Sequence, residues 1–327
     1  MDPTFPPQVA VVESVAERIS TPREHQLSGG TDRFYRFSLL GIMTATGIFI
    51  LLFIGALAWQ SAPGWKVIGH GFWSNQFWVY GQSYGVLSLV VGTVLTTLLA
   101  LVLATPIAIG SALAIVFLIP KRLQLLISSV IGLLAIVPSI VFAIWGVLTL
   151  VKWSSFNAEP WLIQISHGHW PFSGVPRGAG IMVGSIILAV MILPIITAMS
   201  SDVVAAVPDD VIEGALALGA TRGRILRKVI LPSCRSGLVG AVSLGMARAL
   251  GETVAVATVL GGINATPLPK SLLATGSTLA ARIVTDFSSG EGNTSVLYCL
   301  GVVLFVLVAA ASLYARIIFR RNLSRLS

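Results

Sequence analysis

Six long apolar stretches dominate this sequence and limit what it can fold into. They lie near residues 38–59, 86–119, 124–151, 178–200, 237–261 and 295–319. A helix that crosses a bilayer needs about 20 mostly apolar residues, and each stretch reaches that length. Charged residues make up only 10% of the chain, whereas soluble domains carry about 25%. The sequence therefore predicts an all-α membrane protein with about six transmembrane helices.

The second stretch is longer than one straight crossing requires. Pro106 lies inside it and is expected to kink the helix, because proline removes one backbone hydrogen bond and crowds the preceding turn. We expect the end of this helix to protrude to about Pro120. Outer loops are expected over residues 152–177, where three tryptophans suit the membrane interface, and over residues 263–294.

Lysine and arginine are distributed unevenly over the predicted loops. Fifteen of the 21 lie in the N-terminal tail, the second and fourth loops and the C-terminal tail, whereas five lie in the odd-numbered loops. Loops rich in these residues stay in the cytoplasm, so both termini are predicted to be cytoplasmic. Membrane topology therefore explains why the chain carries a net charge of +8, and no nucleic acid is predicted as a partner. The remaining cation, Arg248, lies within the fifth apolar stretch.

The predicted organisation has four parts. Residues 1–35 are polar, lack an apolar signal core and are expected to form a disordered cytoplasmic tail. Residues 36–84 are expected to form the first transmembrane helix and an outer loop, and residues 85–318 the main transmembrane domain. Residues 319–327 are expected to form a cytoplasmic tail.

The polar, basic segment 209–236 separates the fourth and fifth apolar stretches, and its turn residues predict two short helices. Pro208 suits the start of the first helix, and Gly219 suits its end. Thr221 suits the cap of the second helix, which Pro232 is expected to end. One face of that second helix is apolar, which predicts an elbow on the membrane surface that docks into another protein. The residues of this face are Ile225, Leu226, Val229 and Ile230.

This segment resembles the cytoplasmic coupling loop of ABC importer permeases. The family pattern is Glu-Ala-Ala, three residues, Gly, nine residues, Ile, one residue and Leu-Pro, and every spacing is kept here. Gly214 replaces an alanine and Val229 replaces an isoleucine. The matching positions are Glu213, Gly214, Ala215, Gly219, Val229, Leu231 and Pro232. The resemblance implies that the chain is coupled to an ATPase through Glu213, Gly214, Ala215, Gly219, Arg222, Leu231 and Pro232.

The fifth stretch contains Arg248 and Glu252, four residues apart, followed by Thr253. On one continuous helix this spacing places the two charged residues on one face, where they can pair. Charges inside a membrane are costly and usually face a cavity or the bundle interior. The functional hypothesis is an anion pathway in which Arg248 contacts the anion and Glu252 holds or neutralises it. The alternative is an ion pair that only locks helices together.

The sequence Arg-Ala-Leu-Gly-Glu-Thr at 248–253, close after the coupling segment, looks like that of the phosphate-specific (Pst) importer permeases. The residues at 252–256 look more like the C-type than the A-type permease. By resemblance, the chain would adopt the MetI-like permease fold over roughly residues 85–318. It would pair with an A-type permease subunit, and a dimer of cytoplasmic ATPase subunits would drive it. An extracytoplasmic phosphate-binding protein would deliver phosphate across a bacterial or archaeal plasma membrane.

Several other chemistries are not indicated. The chain has no Gly-x-x-x-x-Gly-Lys-Ser/Thr loop, so we expect no ATP binding by this chain alone. His167 and His169 have no third ligand nearby in the sequence, so no metal and no cofactor are predicted. Three alternatives stay open: a permease for sulfate, molybdate or another oxyanion, an ion-coupled secondary transporter, and a structural or channel-like membrane protein.

Overall fold

The computed structural model describes residues 29–79, 83–260, 268–290 and 293–323. The described residues divide into two compact units, with the boundary between Ala56 and Leu57. The described part contains ten helices and one antiparallel hairpin. These are α1 (Gly29–Ile68), β1 (Trp78–Val79), β2 (Ser83–Tyr84), α2 (Leu87–Phe117), α3 (Lys121–Ile136), α4 (Ser139–Ile165), α5 (Ile181–Ala205), α6 (Asp209–Ala217), α7 (Arg222–Gly251), α8 (Val254–Leu260), α9 (Leu279–Ser289) and α10 (Thr294–Leu323).

Six of these helices are long and apolar enough to cross a membrane, which confirms the predicted number. The candidate spans are Phe34–Ile68, Leu87–Phe117, Ser139–Ile165, Ile181–Ala205, Arg222–Gly251 and Thr294–Ala315. The prediction of a disordered tail over residues 1–35 is wrong at its end, because α1 begins at Gly29. Residues 1–28 lie outside the described part.

The third crossing lies further along the chain than predicted. The apolar stretch 124–151 is interrupted at Val137, whose ψ of 129° is extended rather than helical. The following residue, Pro138, explains this break, since a proline ring disfavours the helical conformation in the residue before it. Residues 121–136 therefore form the separate helix α3, and the long helix α4 runs to Ile165. Most of the outer loop predicted over 152–177 is thus helical.

Helix α2 continues through Pro106 to Phe117, three residues before Pro120. Its 31 residues give a length of about 46 Å at 1.5 Å per residue, whereas the hydrocarbon core of a bilayer is about 30 Å thick. The helix is therefore long enough to protrude from the membrane, as predicted.

The core of residues 57–327 is built around the contact between α2 and α5. Alanines at four-residue spacing line one face of α2 and are fully buried against larger aliphatic side chains of α5. Small side chains let two helix backbones approach closely, which is how helices pack in a bilayer. The alanines are Ala100, Ala104 and Ala108, and their partners on α5 include Leu188, Ile192 and Ile196.

The outer loop predicted over residues 263–294 contains the helix α9, much of which is buried. Its first residue, Leu279, donates its backbone N–H to Oγ1 of Thr93 on α2 (2.9 Å). Thr278 caps the helix by accepting the N–H of Ala281 (3.2 Å). The bond to Thr93 fastens α9 to the helix bundle, so the prediction of this segment as only a loop is wrong.

Candidate functional site

The predicted two-helix elbow is present between the fourth and fifth spans. Helix α6 starts directly after Pro208, which lies at the N-cap in an extended conformation rather than at the first helical position. The exposed side chains of Asp209 and Asp210 occupy its first turn, where negative charge is favourable because the helix dipole is positive there. The local sequence is thus sufficient to start the elbow at this place.

Gly219 ends α6 in the way that the sequence predicted. Its φ is +77°, a left-handed conformation that glycine adopts at little cost. The N–H of Gly219 donates to the carbonyl of Leu216 (2.9 Å), and the N–H of Ala220 donates to the carbonyl of Ala215 (3.1 Å). These two bonds form a Schellman motif, which satisfies the last carbonyls of the helix and turns the chain.

The inner side of the elbow rests on the ends of neighbouring helices. Ile225 and Ile230 are almost completely buried in an apolar cluster with Val204 at the end of α5. Partly buried apolar side chains from α2, α5, α6 and α7 surround this cluster, and Leu226, Val229 and Leu231 are among them. The apolar face predicted for the second helix is therefore confirmed. The elbow therefore packs against the ends of α2 and α5.

The outer side of the elbow is open. Glu213, Gly214 and Gly219 are exposed on or after α6, as is Arg222 at the start of α7. Leu218, at the turn between the two helices, is 90% exposed.

Pro232 does not end the second helix, and this prediction is wrong. The helix α7 runs without interruption from Arg222 to Gly251, and Pro232 lies in its interior. A π-helical segment precedes the proline over Leu226–Ile230, and the N–H of Leu231 donates to the carbonyl of Leu226, five residues earlier. The wider turn accommodates the missing N–H of the exposed Pro232. The elbow is therefore directly continuous with the fifth span.

Arg248 lies on an exposed face of this fifth span. From Ser236 onward, the exposed positions of α7 recur every three to four residues, which places them on one side of the helix. Most of these residues are small, so the face is shallow, and a groove of about 430 Å³ opens along it beside Ser312 of α10. The exposed residues of this part of α7 are Ser236, Gly240, Leu244, Arg248 and Gly251.

The predicted ion pair between Arg248 and Glu252 is absent: in the described part of the chain the two side chains form no ion pair. The α-helix ends at Gly251, and Glu252 has an extended conformation with a ψ of 125°. Thr253 then starts α8, since its carbonyl accepts the N–H of Ala257 (2.9 Å). Glycine and threonine are typical helix-end residues. The predicted pairing required one continuous helix, and these residues interrupt it. Glu252 and Thr253 remain partly exposed beside the break.

Two buried carboxylates lay outside the sequence-based predictions. Asp286 on α9 accepts hydrogen bonds from Nε of Arg282 (3.0 Å) and Nε1 of Trp78 (2.8 Å), and all three residues are buried. The four-residue spacing of Arg282 and Asp286 on a helix was a detectable indication of this pair. Glu159 on α4 is fully buried and accepts the N–H of Gly178 (2.9 Å), a contact that the sequence alone does not reveal.

Comparisons with known proteins agree with this arrangement. Residues 104–324 match the family described as binding-protein-dependent transport system inner membrane component. The phosphate transport system permease protein PstC of Mesorhizobium japonicum is 35% identical over 291 residues, which are 87% of this chain and 87% of that protein. PstC of Haemophilus influenzae is 36% identical over 292 residues, with 87% and 90% covered. PstC of Xylella fastidiosa is 35% identical over 316 residues, with 92% and 96% covered.

Two solved structures share the fold. One is a chain of the MetNI methionine ABC transporter in an inward-facing conformation, with a TM-score of 0.52 and 19% identity over 70% of this chain and 92% of that chain. The other belongs to a bacterial ABC transporter that imports the acidic polysaccharide alginate, with a TM-score of 0.51, 16% identity and coverages of 89% and 98%. The chain therefore belongs to the binding-protein-dependent transport system inner membrane components and has the MetI-like fold of ABC importer permeases.

Proposed function

We propose that this chain is a transmembrane permease subunit of an ABC importer that moves inorganic phosphate into the cytoplasm by alternating access. The observation that carries the proposal is the similarity to PstC proteins over most of the chain. Two structural features support it: an open elbow on which an ATPase can act, and a cationic side chain on an exposed face of the fifth span. ATP hydrolysis takes place on a separate subunit.

The elbow transmits the ATPase movement to the membrane helices. Residues 209–230 dock on a dimer of cytoplasmic ATPase subunits, with Glu213, Gly219 and Leu218 on the contact surface. Because α7 is continuous from Arg222 to Gly251, a displacement of the elbow moves Arg248 together with the helix that bears it. The buried contacts of Ile225 and Ile230 at the end of α5 pass the same movement to a second helix.

The anion pathway lies between this chain and a second permease. Arg248 is exposed in this chain, and an arginine in a membrane span normally faces protein or a water-filled cavity rather than lipid. The small residues on the same face of α7 let a second helix approach closely. An A-type permease is the proposed partner. Arg248 attracts the anion, and the partly exposed Glu252 and Thr253 line the pathway at the break between α7 and α8.

The orientation follows from the distribution of positive charge. The elbow and both termini lie in the cytoplasm, where the predicted loops are rich in lysine and arginine. The helix α9 and the segments around it then lie towards the extracytoplasmic side, where a phosphate-binding protein delivers the substrate.

Uptake by reconstituted vesicles tests the function. Vesicles that contain this chain, an A-type permease, the ATPase and the phosphate-binding protein are expected to accumulate radiolabelled phosphate only when ATP is supplied to the ATPase side. Excess unlabelled phosphate is expected to compete, and excess sulfate is not. Competition by sulfate or molybdate would favour the other oxyanions, and uptake driven by an ion gradient without ATP would favour a secondary transporter.

A further inference from the structure

An open cleft of about 450 Å³ lies between two segments, residues 173–177 and 268–275. Two exposed cationic residues, Arg177 and Lys270, line it from opposite segments. Ser173 and Thr275 add polar groups to the lining. None of the described lining residues is acidic, so the cleft is positively charged.

The second segment is fixed by a dense set of hydrogen bonds around Ser271. Its hydroxyl donates to the carbonyl of Pro171 (3.0 Å) and accepts the N–H groups of Ser173 (3.2 Å) and Leu273 (3.1 Å). The carbonyl of Ala274 accepts the N–H of Ile181 at the start of α5 (3.1 Å). These bonds join both walls of the cleft to each other and to a transmembrane helix, so the backbone next to Lys270 is fixed beside the first segment.

The first segment is fixed next to Arg177. Gly178 has a φ of +71°, and a Cβ atom there would collide with the carbonyl oxygen of Val151 on α4. Its N–H donates to the fully buried carboxylate of Glu159 (2.9 Å), which also accepts a hydrogen bond from the hydroxyl of Ser154 (3.3 Å). Glu159 therefore positions the backbone from which Arg177 extends, although it is not itself part of the cleft.

The convergence of two cations is unusual for this side of the protein. Only five lysines and arginines were assigned to the odd-numbered loops, and two of them meet here. Within the described residues, neither Arg177 nor Lys270 forms an ion pair. Like charges in one cleft repel each other, and a cleft lined by one sign of charge concentrates ions of the opposite sign. The two cations and the absence of acidic groups among the described lining residues therefore favour a negatively charged ligand.

We propose that this cleft binds a phosphate group on the extracytoplasmic side. The inference rests on the proposed function and its orientation. The cleft has room for a phosphate group with several waters, each of about 30 Å³, so the bound group keeps part of its hydration and exchanges readily. Free inorganic phosphate and the headgroup of an outer-leaflet phospholipid offer the same chemistry, and experiment distinguishes these two sources.

Equilibrium binding to the full chain in phosphate-free maltoside detergent tests the cleft. Radiolabelled inorganic phosphate is titrated into R248Q protein, which lacks the proposed pathway cation, and into wild-type protein. In both backgrounds, adding R177Q and K270Q together is expected to weaken binding at least tenfold. K66Q is the matched control, because it removes an exposed cation from another outer segment. It is expected to change binding less than twofold.

A lipid arm identifies the source of the phosphate group. Native mass spectrometry of protein purified with phosphatidylglycerol counts the lipids retained by wild-type and R177Q/K270Q chains. Loss of one retained lipid without a change in the Kd of inorganic phosphate would assign the site to a lipid headgroup. A higher Kd of inorganic phosphate without loss of a retained lipid would assign it to the free ion. Either result supports a phosphate site in the cleft.

Unchanged phosphate binding together with unchanged lipid retention in the double variant would overturn the inference. So would an equal loss in K66Q, or a double variant that loses only its association with the binding protein. Vesicle uptake separates this failure from failure of the proposed function. Wild-type vesicles that import phosphate while the cleft variants bind it normally would refute the cleft alone.

Discussion

Replacement of Gly219 by valine tests the conformation of the turn that ends α6 separately from the rest of the chain. The φ of +77° at this position is unfavourable for residues with a Cβ atom by about 1–2 kcal/mol. The site itself is open, since a Cβ atom there would meet nothing within 4 Å. The cost of the substitution within this chain is therefore backbone strain. This strain lowers the ratio of the native turn to unwound alternatives by about 5- to 30-fold.

The consequence is measured as the ratio of phosphate imported to ATP hydrolysed in reconstituted vesicles. G219V is expected to lower this ratio by up to about 5- to 30-fold, while the complex still assembles, because α6 has no buried residues. Two variants serve as controls. G219N is expected to retain most coupling, since asparagine adopts the left-handed conformation more readily than other residues. G214A is expected to couple normally and to stabilise α6 by about 0.8–1 kcal/mol.

Normal coupling in G219V would refute the argument that the left-handed turn positions the elbow against the ATPase. Equal loss in G219V and G219N would also count against it, because the two variants differ in how well they adopt that conformation. Loss of coupling in G214A would show that the outer surface of α6, rather than its final turn, is what the partner requires.

Three further changes test other parts of the structure. Glu159→Ala is expected to lower the free energy of unfolding by about 1–3 kcal/mol, because it leaves the buried N–H of Gly178 without an acceptor. Glu159→Gln keeps an acceptor, so equal thermal unfolding of the two variants in detergent would contradict this role. Asp286→Ala is expected to cost about 3–5 kcal/mol because it removes the carboxylate of the buried ion pair with Arg282, and an unchanged yield of folded chain would contradict this. Leu218→Cys, in a chain whose two native cysteines are replaced by alanine, is expected to resist an impermeant thiol reagent applied outside intact cells, and labelling there would reverse the topology.

Local sequence information was sufficient for much of the elbow and for the number of spans. Gly219 ends α6 through its own conformational freedom, and apolar length alone identifies a helix that can cross a bilayer. The turn depends on a few consecutive residues and each span on one continuous stretch of the sequence. This is why the predicted apolar face around Ile225 was also correct, since its helical spacing lies within one turn and a half.

The errors arose where two local preferences compete and the rest of the fold decides. Pro138 divides an unbroken apolar stretch, whereas Pro106 and Pro232 lie inside helices that continue through them. Hydropathy does not distinguish these cases, because the neighbouring helices and a π-helical turn supply the missing interactions. The break at Glu252 was missed for the same reason: the apolar residues on both sides favoured one continuous helix.

The buried polar contacts could not be predicted because they join distant parts of the chain. Asp286 and Trp78 are separated by 208 residues, and their bond depends on how α9 packs against the hairpin. The cleft beside Arg177 has the same origin, since its walls come from segments about 100 residues apart. Composition indicated only that cations are scarce on this side, without showing that two of them converge.

The central claim is that Arg248 lies on the route of the phosphate anion, and the initial rate of ATP-dependent phosphate uptake tests it most directly. R248Q complexes, once shown to assemble and to hydrolyse ATP, are expected to import no phosphate, because a neutral side chain removes the attraction for the anion where the dielectric constant is low. R248K keeps the charge and is expected to retain measurable uptake. Uptake by R248Q at the wild-type rate would contradict the account.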